Sequence, residues 1–224
     1  MDAEGRLLAL RAGAKNRRDP AADDATLGLL LALARLRGVR RFLEIGTAEG
    51  LTSAALLLAL PQAEGVTVEC DEERHARAVR NFADFGVGGR VRAVLADAAD
   101  VLPALREPFD LVFLDGPKAQ YVNYLPDIKR LLSPHGLLYA DDVLLYGWVN
   151  GREKTPPKRR SIVRRLRDFL AAAGGDADFA VRVFGIGEGA ALCAKGAFSA
   201  EEDALLAKTG AEIPFADCFP AEEE

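Results

Sequence analysis

The stretch RFLEIGTAEGL, which runs from Arg41 to Leu51, joins an apolar strand to a helix through a tight loop. Gly46 and Gly50 relieve the backbone in the loop, and Leu51 to Leu60 is an apolar stretch long enough for a helix. Such a corner presents free backbone N–H groups and the positive end of a helix to a ligand. Glu44, just before the loop, would repel a diphosphate but could hold an amine or a hydroxyl, which points away from nucleotide phosphates.

The composition indicates one folded domain. At 224 residues, half of them hydrophobic, the chain is long enough for one substantial core. The net charge of −5 argues against non-specific binding of polyanions by the whole surface. No signal-type segment or apolar run of roughly 20 residues is present, so we expect a cytoplasmic protein with no membrane partner. The three cysteines lack metal-ligand spacing and are expected to be reduced thiols. Because the chain has two histidines, any metal site must rely on carboxylates.

Apolar runs alternate with helical patterns along most of the chain. This alternation predicts an α/β fold with a doubly wound, mostly parallel sheet. The predicted strands after the first are Val66–Glu69, Arg90–Leu95, Phe109–Asp115 and Leu137–Ala140, followed by an antiparallel hairpin of 179–186 and 190–195. The sheet would then have seven strands. We expect an N-terminal arm or lid over 1–24, the folded domain over 25–196 and an acidic C-terminal tail over 197–224.

Acidic residues stand at the carboxyl ends of all five predicted parallel strands, where ligands of such sheets bind. Glu69 is a little over twenty residues past the first loop, where an acid holds ribose hydroxyls in nucleotide-binding folds, although it could equally be a solvated strand end. Asp97 with Ala98 could lie over an adenine edge, and a helix cap is the simpler interpretation of Asp97. The strand-end acids are Glu44, Glu69, Asp97, Asp115, Asp141 and Asp142.

Three of these acids, Asp115, Asp141 and Asp142, follow two strands that we expect to be neighbours. Carboxylates so close would raise one another's pKa unless a cation lay between them, and Mg²⁺ or another hard divalent cation prefers such oxygen ligands. Lys118 follows Asp115 by three residues. A lysine beside a bound cation can accept a proton from a hydroxyl, so Lys118 is the candidate general base. The alternative is a surface lysine that only pairs with Asp115.

These motifs resemble the cation-dependent class I S-adenosylmethionine O-methyltransferases, the family that includes catechol and caffeoyl-CoA methyltransferases. The resemblance spans residues 27–196 and is carried by FLEIGTAEGLTS, VFLDGPKAQY and LLYADDVLLYGWV. It implies a Rossmann-like methyltransferase fold, S-adenosylmethionine and Mg²⁺ as cofactors, and a homodimer. The stretch PPKRRSIVRRLRDFL further resembles the bacterial branch that methylates 5-hydroxyuridine in transfer RNA.

The resemblance also implies roles for individual residues. Lys118 would be the general base, and Asp115, Asp141 and Asp142 would hold the metal. The cofactor would contact Glu44, Gly46 and Thr47 at its methionine end, Glu69 at the ribose, Asp97 and Ala98 at the adenine, and also Asp115.

Two positions depart from the family pattern. Ala48 stands where many relatives have glycine, which alanine tolerates if the backbone there is not left-handed. Asp142 stands where the family usually has asparagine. A third anionic ligand would tighten metal binding but weaken its acidifying effect on an acceptor hydroxyl, so either the activity is tuned or Asp142 is not a direct ligand.

The acceptor has two candidates, of which 5-hydroxyuridine in transfer RNA is the leading one. Arg152 to Arg167 is basic, and the apolar stripe through it predicts an amphipathic helix whose arginines face outward, a surface suited to transfer RNA. Tyr146 or Trp148 could stack on a base. The alternative acceptor is a small catechol-like phenol. Two other functions fit the sequence less well. A non-catalytic RNA-binding module would not explain the presence of Lys118 together with the three acids. A dinucleotide-dependent oxidoreductase is disfavoured because the G-x-G-x-x-G motif is absent.

Overall fold

A computed structural model describes residue 12 and residues 22–219 of the chain. Most of the predicted N-terminal arm and the last acidic residues of the predicted tail lie outside these described residues. Among the described residues, no helix combines the length and the apolar character that crossing a bilayer requires. The prediction of a cytoplasmic location goes beyond that observation and stays a prediction.

The centre of the fold is one sheet, which confirms the predicted α/β architecture. Its strands are β1 (Arg41–Ile45), β2 (Glu64–Glu69), β3 (Val91–Leu95), β4 (Phe109–Leu114), β5 (Leu132–Ala140), β6 (Phe179–Phe184), β7 (Ala190–Lys195) and β8 (Glu212–Ile213). They are arranged in the order β3-β2-β1-β4-β5-β7-β6-β8. The first five strands are parallel, whereas β7 pairs antiparallel with both β5 and β6.

Helices cover both faces of this sheet. They are α1 (Asp24–Leu36), α2 (Leu51–Ala59), α3 (Glu72–Asp84), α4 (Ala98–Val101), α5 (Tyr121–Leu131), α6 (Arg160–Gly174) and α7 (Ala200–Lys208). Strand side chains alternate between two apolar clusters, as the period of two requires. In β1, for example, Phe42 packs with α1 to α3, and Leu43 packs with α5 and α6 on the opposite face. Because both faces are covered, the central strands consist mostly of apolar residues.

The order of strands positions the site. The chain runs outward from β1 to β2 and β3, and returns to place β4 on the other side of β1. In an open parallel sheet this reversal leaves a crevice at the carboxyl ends of the two central strands, where ligands bind. The loops that follow β1 and β4 meet there, and the backbone N–H of Asp115 donates to the carbonyl of Ile45 at 2.9 Å.

The C-terminal segment differs from the prediction. Residues 197–219, predicted as part of a tail, contain α7, the short strand β8 and a 3₁₀ turn over Phe215–Cys218. Strand β8 pairs with β6, so the sheet has eight strands instead of seven. The buried carboxylate of Glu202 on α7 accepts from the guanidinium of Arg37 at the end of α1, which fastens the segment to the domain. The expectation failed because a strand of two residues is too short to produce a periodic pattern.

Candidate functional site

A cleft of about 360 Å³ lies at the carboxyl ends of β1, β2, β3 and β4. Its walls contain seven of the predicted site residues, which the sequence places up to 96 positions apart (142 − 46). These are Gly46, Glu69, Asp97, Ala98, Asp115, Lys118 and Asp142. The strand ends therefore bring most of the predicted cofactor and carboxylate residues to one cavity, as the parallel arrangement requires.

The loop after β1 has an unusual backbone. Gly46, Ala48 and Gly50 have φ angles of 92°, 47° and 81°, all in the left-handed region. A Cβ atom at position 46 would lie 2.3 Å from the carbonyl oxygen of Asp115, so only glycine lets the two loops approach so closely. The backbone at Ala48 is left-handed after all, and the condition under which alanine would be tolerated there without strain is not met.

Glu69 holds this loop in place from the end of β2. Its carboxylate accepts from the backbone N–H of Ala48 at 2.8 Å and from that of Asp71 at 2.9 Å. The side chain is 7% exposed and lines the cleft. Glu69 is therefore a buried acceptor that joins two loops, and the interpretation as a solvated strand end is wrong. Its remaining lone pairs are available to hydroxyl groups of a ligand.

Asp97 and Ala98 lie on the cleft wall after β3. The carboxylate of Asp97 accepts from the N–H of Ala99 at 2.8 Å and so caps α4, which confirms the simpler of the two interpretations. Tyr124 from α5 lines the cleft beside it. Burial, with a smaller contribution from Asp97, raises the pKa of Tyr124 to about 12, so its hydroxyl stays protonated at neutral pH and can donate to a ligand.

Glu44 and Thr47 lie behind the cleft wall. Glu44 is 1% exposed, and Ser53 Oγ on α2 donates to its carboxyl group at 2.5 Å. Burial is the main reason that the pKa of Glu44 is raised to about 8, so this acid is largely neutral at pH 7. Thr47 is also buried, and its hydroxyl has no hydrogen-bond partner among the residues that the structure describes. An unpaired buried hydroxyl next to the loop fits a polar ligand atom there.

At the other end of the cleft, a lysine lies between two carboxylates. Nζ of Lys118 is 2.6 Å from Oδ1 of Asp115 and 3.0 Å from Oδ2 of Asp142. Burial opposes the ammonium form of Lys118, but the phenol of Tyr121 and these two carboxylates outweigh it, so the pKa of Lys118 is well above its usual value. Burial raises the pKa of Asp115, and the lysine partly offsets this. The lysine is 13% exposed, so it is not the surface residue of the alternative interpretation.

Asp141 lies next to this cluster but outside the cleft wall. Its hydrogen-bond partner is the hydroxyl of Thr26, at 3.5 Å, and it is 4% exposed. Burial, then Asp115 and Asp142, raise the pKa of Asp141 to about 8. Lys118 contacts both Asp115 and Asp142, and Asp141 directly precedes Asp142 in the chain, so the three carboxylates belong to one region of the site, and their oxygen chemistry suits a hard divalent cation. Within residues 22–219, however, no three His, Cys, Asp or Glu side chains are arranged as metal ligands.

The basic segment divides into two parts. Arg165 donates to the carbonyl of Ala119, and Arg167 donates to the carbonyls of Trp148 and Val149, so these two arginines are structural. The prediction that all the arginines face outward is wrong for them, because guanidinium groups at the edge of an amphipathic helix can reach neighbouring loops. The exposed cations of the segment lie before α6 and in its first turns: Arg152, Lys154, Lys158, Arg159, Arg160 and Arg164.

Several residues on the cleft wall were not identified from the sequence: Cys70, Arg74, Pro117 and Tyr124. Cys70 directly follows Glu69, and Pro117 lies two residues after Asp115, and this proximity to identified strand-end residues is a signal that could have found them. Tyr124 lies on α5 with its ring in the apolar core, and a core position in the sequence gives no sign that its hydroxyl reaches the cleft. Tyr146 is 57% exposed and packs on Trp148 with ring centroids 4.9 Å apart.

Comparison with known proteins gives consistent results. A family model described as a methyltransferase domain matches residues 43–143. A catechol O-methyltransferase of Niastella koreensis is 33% identical over 148 residues, which is 64% of this chain and 66% of that protein. A protein of Mycolicibacterium smegmatis named as an O-methyltransferase is 33% identical over 147 residues, 62% of this chain and 70% of its own length. The first four curated relatives are covered over 54–66% of their length.

Among solved structures, the O-methyltransferase TomG of Streptomyces achromogenes, crystallised with S-adenosylmethionine, superimposes with a TM-score of 0.76. The match has 29% sequence identity and covers 88% of this chain and 91% of TomG. The match therefore extends over both the parallel half of the sheet and its antiparallel end.

Proposed function

This chain belongs to the class I S-adenosylmethionine-dependent O-methyltransferases of the catechol and caffeoyl-CoA type, and from that premise we propose that it transfers a methyl group to a phenol with adjacent hydroxyls. The observation that supports this most directly is the cleft, which joins a cofactor-sized cavity to a lysine held between carboxylates. The names of the catechol O-methyltransferases among its relatives support the choice of acceptor.

The chain's own residues suggest how S-adenosylmethionine would lie. Glu69 would accept hydrogen bonds from the ribose hydroxyls with the lone pairs that Ala48 and Asp71 leave free. Asp97 and Ala98 would flank the adenine, and the backbone of Gly46 would allow close approach at the methionine end. Glu44 is buried beneath the cleft surface. If it lost its proton, its carboxylate would attract the ammonium group of the cofactor.

Asp115, Asp141 and Asp142 would hold the divalent ion, for which Mg²⁺ is our proposal. A divalent ion in such a site supplies a Lewis acid that stabilises negative charge on the acceptor oxygen. Asp115 and Asp142 favour the ammonium form of Lys118, whose pKa is raised. With a divalent ion held by those carboxylates, Lys118 would lose that support and its pKa would be lower, which would suit it to take a proton from the acceptor hydroxyl.

The test is methyl transfer from labelled S-adenosylmethionine to catechol, with Mg²⁺ or with EDTA. We expect product only with the divalent ion, and a loss of at least a hundredfold in kcat for Lys118→Ala, in the range that general base catalysis contributes. Lys208→Ala, which changes an exposed lysine at the end of α7, is the matched control and should behave as wild type. Equal rates in EDTA and Mg²⁺ would refute the metal-dependent mechanism.

A second acceptor, 5-hydroxyuridine in transfer RNA, is favoured by one observation. Lys154, Lys158, Arg159, Arg160 and Arg164 are exposed and have no ion-pair partner among the described residues, so a phosphate backbone could neutralise them. If RNA is the acceptor, log Kd should rise steeply with log salt, and Arg159→Ala with Arg164→Ala should flatten that slope by about one to two units. Methylation of catechol without methylation of such RNA would exclude this acceptor.

We also propose that the protein is a homodimer, as the family resemblance implies. Sedimentation equilibrium of the full chain tests this directly, since a single species of 24.0 kDa would contradict it.

A further inference from the structure

The turn between β6 and β7 holds the loop that follows β5. This turn is Gly187–Gly189, and the loop is residues 142–147. The carbonyl of Gly189 accepts from the N–H of Val143 at 2.8 Å. The carbonyl of Glu188 accepts from Leu144 and Leu145, both at 3.0 Å. These bonds engage three consecutive N–H groups of the loop, and a side-chain contact engages a fourth, that of Tyr146.

That next contact is made by the side chain of Glu188. Its Oε2 accepts from the backbone N–H of Tyr146 at 2.7 Å. Glu188 is half-buried, so its carboxylate is partly shielded from water. A hydrogen bond to an ionised carboxylate is about twice as strong as one between neutral groups. Glu188 thus bonds the loop through both its backbone and its side chain.

The loop needs such support because its backbone is strained. Asp142, Leu145 and Tyr146 have φ angles of 56°, 44° and 59°, and none of them is glycine. Residues with side chains avoid this left-handed region, and runs of them persist only where surrounding contacts enforce the conformation. Asp142 begins the loop and lies on the cleft wall, 3.0 Å from Nζ of Lys118.

The turn is itself shaped for this contact. Gly189 has a φ of 95°, and a Cβ atom there would lie 2.4 Å from the side chain of Leu144. A Cβ at Gly187 would lie 2.2 Å from the carboxylate of Asp23, which caps α1. The sequence Gly-Glu-Gly therefore allows the turn to touch the loop on one side and the start of α1 on the other.

We propose that Glu188 is a positioning residue, which holds the 142–147 loop in its left-handed conformation and so fixes Asp142 against Lys118 on the acceptor side of the site. The part of this inference that concerns the acceptor rests on the proposed function. Glu188 does not touch the cleft, so its effect passes through the loop.

The test compares Glu188→Ala with Glu188→Gln, whose amide oxygen can still accept from the N–H of Tyr146. Glu64→Ala, an exposed glutamate at the opposite end of the sheet, is the control. Hydrogen exchange of residues 143–147 should accelerate at least tenfold in Glu188→Ala and return close to wild type in Glu188→Gln. The kcat/KM for catechol should fall at least tenfold in Glu188→Ala, while the Kd for S-adenosylmethionine stays within twofold.

Three results would overturn the proposal: unchanged exchange in Glu188→Ala, a Kd for S-adenosylmethionine that rises as much as kcat/KM falls, or a Gln variant as impaired as the Ala variant. If the wild type transfers no methyl group to catechol but exchange responds as expected, the positioning role is supported and the proposed acceptor is the part that fails. The two ideas are therefore tested separately.

Discussion

Ala48 adopts a left-handed backbone with φ of 47°, and Glu69 holds it there by accepting its N–H at 2.8 Å. A residue with a Cβ atom loses roughly 1–2 kcal/mol in that conformation. Replacing alanine by glycine also gives the unfolded chain more freedom, which costs about 0.4–1 kcal/mol. The first effect is larger, so the loop of this protein stores strain that glycine would release.

We therefore predict that Ala48→Gly stabilises the protein by about 0.5–1 kcal/mol, which raises Tm by about 1–4 °C for a chain of this size. Thermal unfolding measures this. Ala171→Gly, at an exposed position inside α6, is the matched control and should destabilise by about 1 kcal/mol. A lower Tm for Ala48→Gly would show that the strain is not relieved there.

Glu44 gives a prediction about pH. Its pKa is about 8 in the folded protein because of burial, against 4.5 for the ordinary side chain. At pH values between 4.5 and about 8, Glu44 is protonated in the folded state but ionised in the unfolded state. Its contribution to the free energy of unfolding is therefore greatest at low pH and falls as pH rises from about 4.5 to 8. The slope is about 1.4 kcal/mol per pH unit.

Glu44→Gln removes this titration, while its amide oxygen still accepts from Ser53. We expect the variant to match or fall slightly below wild type near pH 5 and to be the more stable protein at pH 9. Urea denaturation at several pH values gives the free energies of unfolding. Asp141 has a pKa of about 8 in both proteins, so only the difference between them reports Glu44. Parallel pH profiles for the two proteins would contradict the buried, neutral acid.

Lys118 leads to a prediction about metal binding. Its ammonium lies 2.6 Å from Asp115 and 3.0 Å from Asp142, where it competes with any cation for the same carboxylates. Lys118→Ala should therefore bind Mg²⁺ about tenfold more tightly than wild type, although we expect the variant to lose its activity. Titration calorimetry without cofactor measures the Kd, and Lys208→Ala is the control. Weaker binding by Lys118→Ala would show that the lysine does not compete with the metal.

Most of the fold was predictable because parallel strands covered on both faces are continuous apolar runs. Phe109 to Leu114 is such a run, and β4 occupies it. The helix α7 was missed although Ser199 and Glu202 form a capping box, a signal that is visible in the sequence. Its apolar face is weak, since Leu206 is the one buried apolar residue of the helix. Periodicity alone therefore could not identify it.

The candidate site was predictable to the level of strand ends but not of side-chain direction. Asp97 and Asp115 lie on the cleft wall as expected, because carboxyl ends of neighbouring parallel strands meet. Glu44 lies in β1, where alternate side chains point to opposite faces, and its carboxyl faces Ser53 on α2. The sequence does not reveal which face that is. The structural role of Arg165 depends on a loop carbonyl whose position comes from tertiary packing.

The last prediction concerns the C-terminal segment. Arg37 donates to both carboxylate oxygens of Glu202, and the two side chains are 9% and 3% exposed. Glu202 also accepts from the N–H of Ser199, so it closes the first turn of α7. Removing one partner of a buried pair leaves the other charge uncompensated, which costs about 3–5 kcal/mol. Arg37→Ala should therefore destabilise the protein by about that amount.

Denaturant unfolding gives this value, and Arg92→Ala is the comparison. Arg92 pairs with Glu107 at 3.2 Å, but its side chain is 54% exposed, so its removal should cost less than about 1 kcal/mol. In Arg37→Ala we further expect faster hydrogen exchange in residues 200–213, because α7 and β8 lose their attachment to α1. A cost below 1 kcal/mol with unchanged exchange would mean that β8 pairing alone holds the segment.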